Sequence, residues 1–380
     1  MKILHLTGAQ VDHGGILSFL RALSGIEIPG IQHSVWVNST FAETRGPALN
    51  LRRGCGALDE AGSPWPLVWS AFRAWPGLRR LLESEPFDVI HAHTRGSFLL
   101  ACRLHRRRRR PGAPPVVFTN HAYARRTRLY RTAARNWGLP SVALTERMAA
   151  YYGLVDASGR PIIEVISACC SEDFFLPPPP AKTRLQFSPE EPLRLVGLGS
   201  LVRWKGWNLA LEALGHLSPN DRSRVRFELW GPTVEDTDSQ AFAAELDAQR
   251  HQRGLANVVT LAGSTQNSQT VLQAADWLLH PAQLEPCSLA LMESLALGHP
   301  AVASASGGSA DIVAHGLNGR HFEPGNAADL ARQLEQILAG APLTLDPIGI
   351  RESVRARSAR QIANRYADLY RRLASRKSKI

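Results

Sequence analysis

No run of about 18 apolar residues, the least that lets a helix cross a bilayer, occurs anywhere in the 380-residue sequence. Any membrane contact is therefore expected to be peripheral. The opening stretch from Met1 to Thr7 is too short and too soon interrupted for the apolar core of a secretory signal, so a cytoplasmic setting is expected. Cysteine is scarce and odd in number: Cys55, Cys102, Cys169, Cys170 and Cys287 show no repeated C-x-x-C spacing, which speaks against a zinc framework and for a reducing compartment. Neither the dinucleotide G-x-G-x-x-G spacing nor a Walker loop is present, since no Gly-Lys-Ser/Thr follows the Gly14-Gly15 pair. No segment is poor enough in apolar residues for long disorder, and the hydrophobic fraction of 44% with 20% charged residues describes a chain folded throughout.

The length exceeds the roughly 250 to 300 residues at which a single core stops growing, so two domains are expected. The net charge is +11 with histidines neutral, and it is unevenly placed. Residues 1–176 hold 22 Lys/Arg against 13 Asp/Glu, whereas residues 177–380 hold 22 against 20. A basic first half points to an anionic partner: a phosphorylated acceptor, an acidic membrane surface or nucleic acid.

Lys2 to Thr7 reads as a buried strand, followed by a glycine loop and a helical pattern in Ile16, Leu17, Phe19, Leu20 and Leu23. Further apolar runs at Val35 to Asn38, Val89 to His93, Val116 to Asn120 and Ser141 to Thr145 alternate with helix-length segments. The pattern restarts with runs at Leu193 to Gly197, Arg226 to Trp230, Val258 to Leu261, Trp277 to His280 and Ala301 to Ser304. Alternation of this kind predicts parallel sheets covered on both faces. The expected fold class is α/β, with two doubly wound Rossmann-like domains facing a central cleft. Their bounds are 1–176 and 184–350, joined by a stiff proline-rich linker over 177–183. Residues 351–380 form a C-terminal segment expected to return to the first domain, with one amphipathic helix over Glu352 to Ala374.

The most specific segment is Pro281 to Pro300, PAQLEPCSLALMESLALGHP. Glu285 lies just before a helix and Glu293 within it. Cys287, Ser288 and Leu289 begin that helix, where free backbone N–H groups bind anions. Two glutamates eight apart occur on many solvated helices; the residues around this pair carry the signal. The segment resembles the retaining glycosyltransferases of the GT-B fold, in the family 4-like group that carries the E-x7-E motif. The resemblance implies that Glu285 contacts the donor sugar and Glu293 the nucleotide ribose. Arg203 and Lys205, in GSLVRWKGW from Gly199 to Trp207, match basic residues that meet the donor diphosphate in the family. Gly14 and Gly15 resemble its phosphate-approaching loop and Thr265, in Gly263 to Thr265, its base-contacting loop. His121, at the end of VVFTNHAY's strand, matches a position near the donor sugar. Gly307 and Gly308 are similar to its tight strand-to-helix turn, with Asp311 where Glu is usual.

These assignments describe front-face transfer without a protein nucleophile: Arg203 and Lys205 stabilise the departing nucleoside diphosphate, Glu285 orients the sugar and His121 stands near its hydroxyls. No cofactor or metal is expected, the two cations taking the part of a divalent ion; His91 and His93 share a strand face but have no Cys or carboxylate at ligand spacing. The resemblance implies a nucleotide-sugar donor, and the expected acceptor is a saccharide or lipid-linked saccharide, as in envelope or exopolysaccharide synthesis. Arg103, Arg106, Arg107, Arg108, Arg109 and Arg110, followed by Arg125 and Arg126, are candidates for contact with an anionic membrane. Trp65, Trp69, Phe72 and Trp75 before them have near-helical spacing, with core packing as the default and an interfacial helix as the alternative. Two other classes stay open: a nucleotide-sugar epimerase or hydrolase on the same scaffold, and a non-catalytic basic protein binding membrane or RNA. Nucleic acid is disfavoured because no aromatic RNA-binding strand signature occurs.

Overall fold

A computed structural model describes residues 1–12, 14–44, 48–54, 58, 64–107, 113–233 and 237–375. Cys55 and the arginines Arg108, Arg109 and Arg110 lie outside the described residues. The chain forms two compact units. Unit 1 is Met1–Cys169 together with Ala359–Ile380, and unit 2 is Cys170–Ser358.

Unit 1 carries a seven-stranded parallel sheet of β1 Lys2–Leu6, β2 Gln32–Val37, β3 Leu51–Arg53, β4 Val89–Ala92, β5 Val116–Asn120, β6 Ser141–Ala143 and β7 Glu164–Val165, in the order β3-β2-β1-β4-β5-β6-β7. Its helices are α1 Gly15–Ser24, α2 Pro64–Ser84, α3 Arg95–Arg107, α4 Arg128–Arg135 and α5 Glu146–Tyr151, with a C-terminal helix, Ala359–Ser375, packed against α1 and β4. Strand periodicity sorts the two faces. Leu4, Leu6 and Ile90 enter a core with Trp36, Leu78, Phe98 and Phe118, while His5, between Leu4 and Leu6, meets the Tyr370 ring of the C-terminal helix edge-on on the other side.

Unit 2 carries a six-stranded parallel sheet of β8 Leu193–Leu198, β9 Val225–Trp230, β10 Val259–Gly263, β11 Trp277–His280, β12 Ala301–Ser304 and β13 Gly319–Phe322, ordered β10-β9-β8-β11-β12-β13. Its helices are α6 Trp207–His216, α7 Pro219–Ser223, α8 Thr237–Gln252, α9 Ser268–Gln273, α10 Leu289–Ala296, α11 Ser309–Ile312, α12 Ala327–Leu338 and α13 Pro347–Ser353. The fully buried Trp207, Phe227, Leu229, Leu246 and Leu334 lie in one core from α6, β9, α8 and α12. In both sheets the strand order reverses beside the first strand, at β1/β4 and at β8/β11. In open parallel sheets that reversal opens a crevice at the carboxyl ends of the strands, where ligands bind.

Three sequence expectations change. The chain leaves unit 1 at Cys169, before the proline run, and Pro177 to Pro180 belong to unit 2. They are held there by the Arg351 guanidinium, which donates to the carbonyls of Pro177 and Phe175 (3.4 Å for Phe175) and of Ala296 (2.8 Å). The single helix expected from Glu352 to Ala374 is two helices in different units: α13 ends at Ser353, a 3-10 turn covers Arg355–Arg357, and Ser358 is extended. There the Cys170 N–H donates to the Arg357 carbonyl (3.0 Å), which draws the backbone out of helical geometry. Third, Trp65, Trp69 and Phe72 are not core residues: they are 82%, 60% and 61% exposed on α2, and only Trp75 packs inward.

Candidate functional site

The β8/β11 crevice of unit 2 is built from two loops. After β8 the chain makes a 3-10 turn, Arg203–Lys205, and enters α6 through Gly206. Gly206 has φ +73°, and a Cβ there would sit 2.4 Å from the Pro281 carbonyl oxygen, so only glycine fits. The Gln283 N–H donates to the Trp204 carbonyl at 3.1 Å, tying the β8 loop to the β11 loop. On the other side, the Gly308 N–H donates to the Glu285 carbonyl at 2.7 Å. A Cβ on Gly307 or Gly308 would overlap the backbone of Glu285 or Pro286, so this tight turn fixes where Glu285 stands.

Between these supports the Lys205 ammonium meets the Glu285 carboxylate at 2.5 Å, both largely buried. His280, the last residue of β11, lies 3.6 Å from the same oxygen and is fully buried. Burial opposes ionisation of Glu285, but the Lys205 ammonium and the neighbouring His280 more than offset it and hold the carboxyl at about 2. Glu293, on the second turn of α10, behaves oppositely. Burial pushes its carboxyl up to about 7, with the Ser268 hydroxyl of α9 working against the shift. Two carboxyls eight residues apart are thus separated in acidity by their surroundings, the pattern that assigns different roles to chemically identical groups.

Ser288 caps α10, its Oγ accepting from the Leu291 N–H at 3.3 Å. The N–H groups of Leu289 and Ala290 have no partner within the helix and face the first-turn direction in which an anion is favoured. Cys287, just before the cap, is buried. Thr265 follows β10 and its hydroxyl accepts from the Asn267 N–H at 3.0 Å. Arg203 does not join Lys205 and Glu285. Its guanidinium donates two bonds to Glu245 (2.7 and 2.8 Å) and one to Asp238 (3.1 Å) of α8, which raise its basicity. It borders a cavity of about 390 Å³ with Trp204, Asn208, Phe242, Glu245 and Gln283.

In unit 1, Gly14 has φ +97° and precedes Gly15, the first residue of α1, whose first turn holds no acidic side chain. The loop is anchored by a buried pair, Asp12 to Arg21 at 2.7 Å. His121 follows β5 at the carboxyl edge, its ring 5.4 Å from Phe19 of α1, and burial lowers its imidazole to about 3. Its Nε2 lies 3.0 Å from His93 Nδ1. His5, His91 and His93 bring one ring nitrogen each within 4.8 Å of one another. His280, His5, His33 and His93 were not singled out for these contacts from sequence. Their strand positions give alternation, but only the strand order tells which strands are neighbours.

Residues 182–348 match the family model "Glycosyl transferases group 1" and residues 30–156 match "Glycosyltransferase Family 4". The chain is 25% identical over 318 residues to the 2-deoxystreptamine glucosyltransferase of Streptomyces kanamyceticus, covering 78% of each chain. Its fold is similar to the sucrose-phosphate synthase of Thermosynechococcus elongatus (TM-score 0.78, 18% identity, covering 98% of this chain and 99% of that one). It is also similar to HepE of Anabaena, solved in complex with UDP and glucose (TM-score 0.69, 16% identity, covering 97% and 99%). With both sheets wound in the same order and the two family models matching one unit each, the chain belongs to the GT-B, family 4-like glycosyltransferases.

Proposed function

We propose that this glycosyltransferase is a retaining hexosyltransferase that moves a sugar from a nucleoside diphosphate to a saccharide or lipid-linked acceptor in envelope or exopolysaccharide synthesis. The observation that carries the reading is the buried Lys205–Glu285 pair at the β8/β11 reversal. Bond cleavage at the anomeric carbon leaves negative charge on the diphosphate, and a fixed ammonium stabilises that charge more in the transition state than in the ground state. Glu285, ionised and already held by Lys205, is a weak nucleophile and a good acceptor for sugar hydroxyls, which favours front-face transfer over a covalent intermediate. The departing phosphate then takes the acceptor's proton. The start of α10 at Cys287, Ser288 and Leu289 supplies N–H groups for phosphate, Glu293 the acceptor for a ribose diol, Thr265 a base contact, and Gly14 and Gly15 a close backbone approach. His121 is assigned to the sugar hydroxyls. Arg203 reaches the diphosphate by exchanging Glu245 and Asp238 for it. Lys205 and Arg203 together take the part of a divalent ion, so turnover is expected to survive EDTA.

A panel of UDP-, GDP- and ADP-sugars is expected to give one selective rise in melting temperature that Lys205→Ala and Glu293→Ala lose. Proton NMR of the product should show the donor's anomeric configuration preserved. A folded protein indifferent to every donor, or one that consumes donor with no acceptor, defeats this reading, the second outcome in favour of an epimerase or hydrolase.

For the acceptor side, the exposed stripe of Trp65, Val68, Trp69 and Phe72 on α2 favours a membrane surface. Arg103 and Arg107 of α3 stack over Trp75 of α2, at 4.1 and 5.0 Å, and so set cationic groups beside the aromatic stripe. Aromatic residues with flanking arginines suit the interface of an anionic bilayer, and the exposed Arg106, Arg125 and Arg126 add charge. Flotation with phosphatidylglycerol vesicles, but not with phosphatidylcholine vesicles, is expected, and Trp65→Ser/Trp69→Ser should abolish it; equal recovery from both lipids would count against the assignment.

A further inference from the structure

Four histidines of unit 1 are joined end to end. His33 Nδ1 lies 2.8 Å from His5 Nε2, His5 Nδ1 lies 2.9 Å from His93 Nε2, and His93 Nδ1 lies 3.0 Å from His121 Nε2. They come from β2, β1 and the residues just past β4 and β5, four neighbouring strands. The file therefore crosses the sheet obliquely and ends at its carboxyl edge. His5 and His93 are 1% exposed, whereas the two end rings, His33 and His121, are partly open.

Burial drives the imidazoles of all four toward the neutral form, His33 to about 4 and His121 to about 3, with His5 and His93 also pushed down by their histidine neighbours. A neutral imidazole has one donor and one acceptor. Three consecutive N–H···N bonds then require every ring to donate in the same sense. Two arrangements satisfy this. Either all four rings carry the proton on Nδ1, or all four carry it on Nε2. A mixed file would oppose two lone pairs or two N–H groups in the dry interior. In the first arrangement His121 presents an Nδ1–H donor, and in the second a bare Nδ1 acceptor. Conversion takes one proton in at one end, shifts one across each N···N contact and releases one to solvent at the other.

We infer that His93, His5 and His33 are positioning residues that set, as one unit, which tautomer His121 presents to its ligand. The link to catalysis rests on the reading of His121 given above; the coupling itself does not. His91 stands beside the file but outside it, because its two nitrogens are taken by the Tyr370 hydroxyl and Thr119 Oγ1, each at 2.7 Å. Its ring is 4.0 Å from that of His93 and limits how that ring can turn. A metal ion on His5, His91 and His93 would have to break the His5–His93 bond and sit among neutral rings alone.

Nitrogen-15 NMR of histidine-labelled protein tests the inference directly. His33, His5, His93 and His121 are expected to be neutral, to share one tautomer and to show N–N coupling across each contact. Mixed tautomers, or an imidazolium at His5 or His93, overturn it. At pH 8, His33→Asp supplies an acceptor that cannot donate. His5 must then turn Nε2–H toward it, and His121 must hold its proton on Nε2 whatever the wild-type arrangement; Nδ1–H at His121 in this variant overturns the coupling. Full activity in His121→Ala would remove the catalytic role of His121 and leave the tautomer result intact, so the two failures are told apart.

Discussion

The two units wind their sheets in the same order and reverse at equivalent places, yet fill the reversal in opposite ways. Unit 2 puts an ion pair there, Lys205 with Glu285, beside a buried histidine. Unit 1 puts a file of neutral rings, with the Tyr370 and Thr119 hydroxyls completing His91. The scaffold thus settles where chemistry can occur without settling its electrostatics. A charged pair meets charge that develops during reaction, whereas neutral rings supply directional hydrogen bonds whose sense can be exchanged.

If that contrast is right, the largest effect follows from removing the cation of unit 2. Lys205→Ala is expected to lower kcat/KM by roughly a thousandfold and to cost about 3 kcal/mol of stability in urea, because Glu285 is left buried without a counter-charge. The sign of the pH effect is set by Glu285, whose folded acidity of about 2 is below its ordinary value. Its contribution is present above the ordinary carboxylate range and is lost as pH falls toward 2. Acid titration of stability should show this limb in the wild type and lose it in the variant.

Gly206→Ala comes next. It forces a side chain into left-handed backbone and against the Pro281 carbonyl, and about 2 kcal/mol of destabilisation is expected. Circular dichroism melts should show the loss, and nucleotide affinity should fall with it because the same turn carries Lys205. An unchanged melt would mean that the two loops are not locked together as described.

Glu293 sharpens the comparison within unit 2. With its carboxyl at about 7, the proposed ribose role of Glu293 calls for nucleotide affinity measured by calorimetry to rise about tenfold as pH increases through 7, because only the ionised form would accept from both ribose hydroxyls. Glu293→Gln should be flat across that range. The smallest effect is expected in unit 1. Tyr370→Phe removes the 2.7 Å partner of His91 and should cost about 1 kcal/mol, with nucleotide binding unchanged. A large loss of binding would show that the two reversals are not separable.

The apolar runs marked ten of the thirteen strands among the described residues because buried parallel strands are apolar on both faces. The three not marked, β3 (Leu-Arg-Arg), β7 (Glu-Val) and β13 (Gly-Arg-His-Phe), are short and polar. They lie at the margins of their sheets, where one side lacks a covering strand. Lys205 and Glu285 were singled out from local motifs, and the fold brings the two residues into contact. Arg203 was read with Lys205 from one motif, GSLVRWKGW, but the acids that hold it lie some forty residues along on α8. The histidine file was illegible for the same reason: its members are separated by 28 to 88 residues. The exposed tryptophans of α2 share the helical spacing of core residues, so pattern alone could not tell which side met solvent.

The passage of the chain out of unit 1 at Cys169 and back at Ala359 also bears on synthesis. Unit 2 is continuous in the chain, and its two ends pair through Cys170 and Ser358. Unit 1 is not: His91 waits for Tyr370, 279 residues later. On the ribosome unit 2 can therefore close its core while unit 1 still lacks the helix Ala359–Ser375, and the histidine face of unit 1 is sealed only when that helix packs against it. The unit made second can thus be complete before the one begun first, whose ring file becomes dry only with its returning helix.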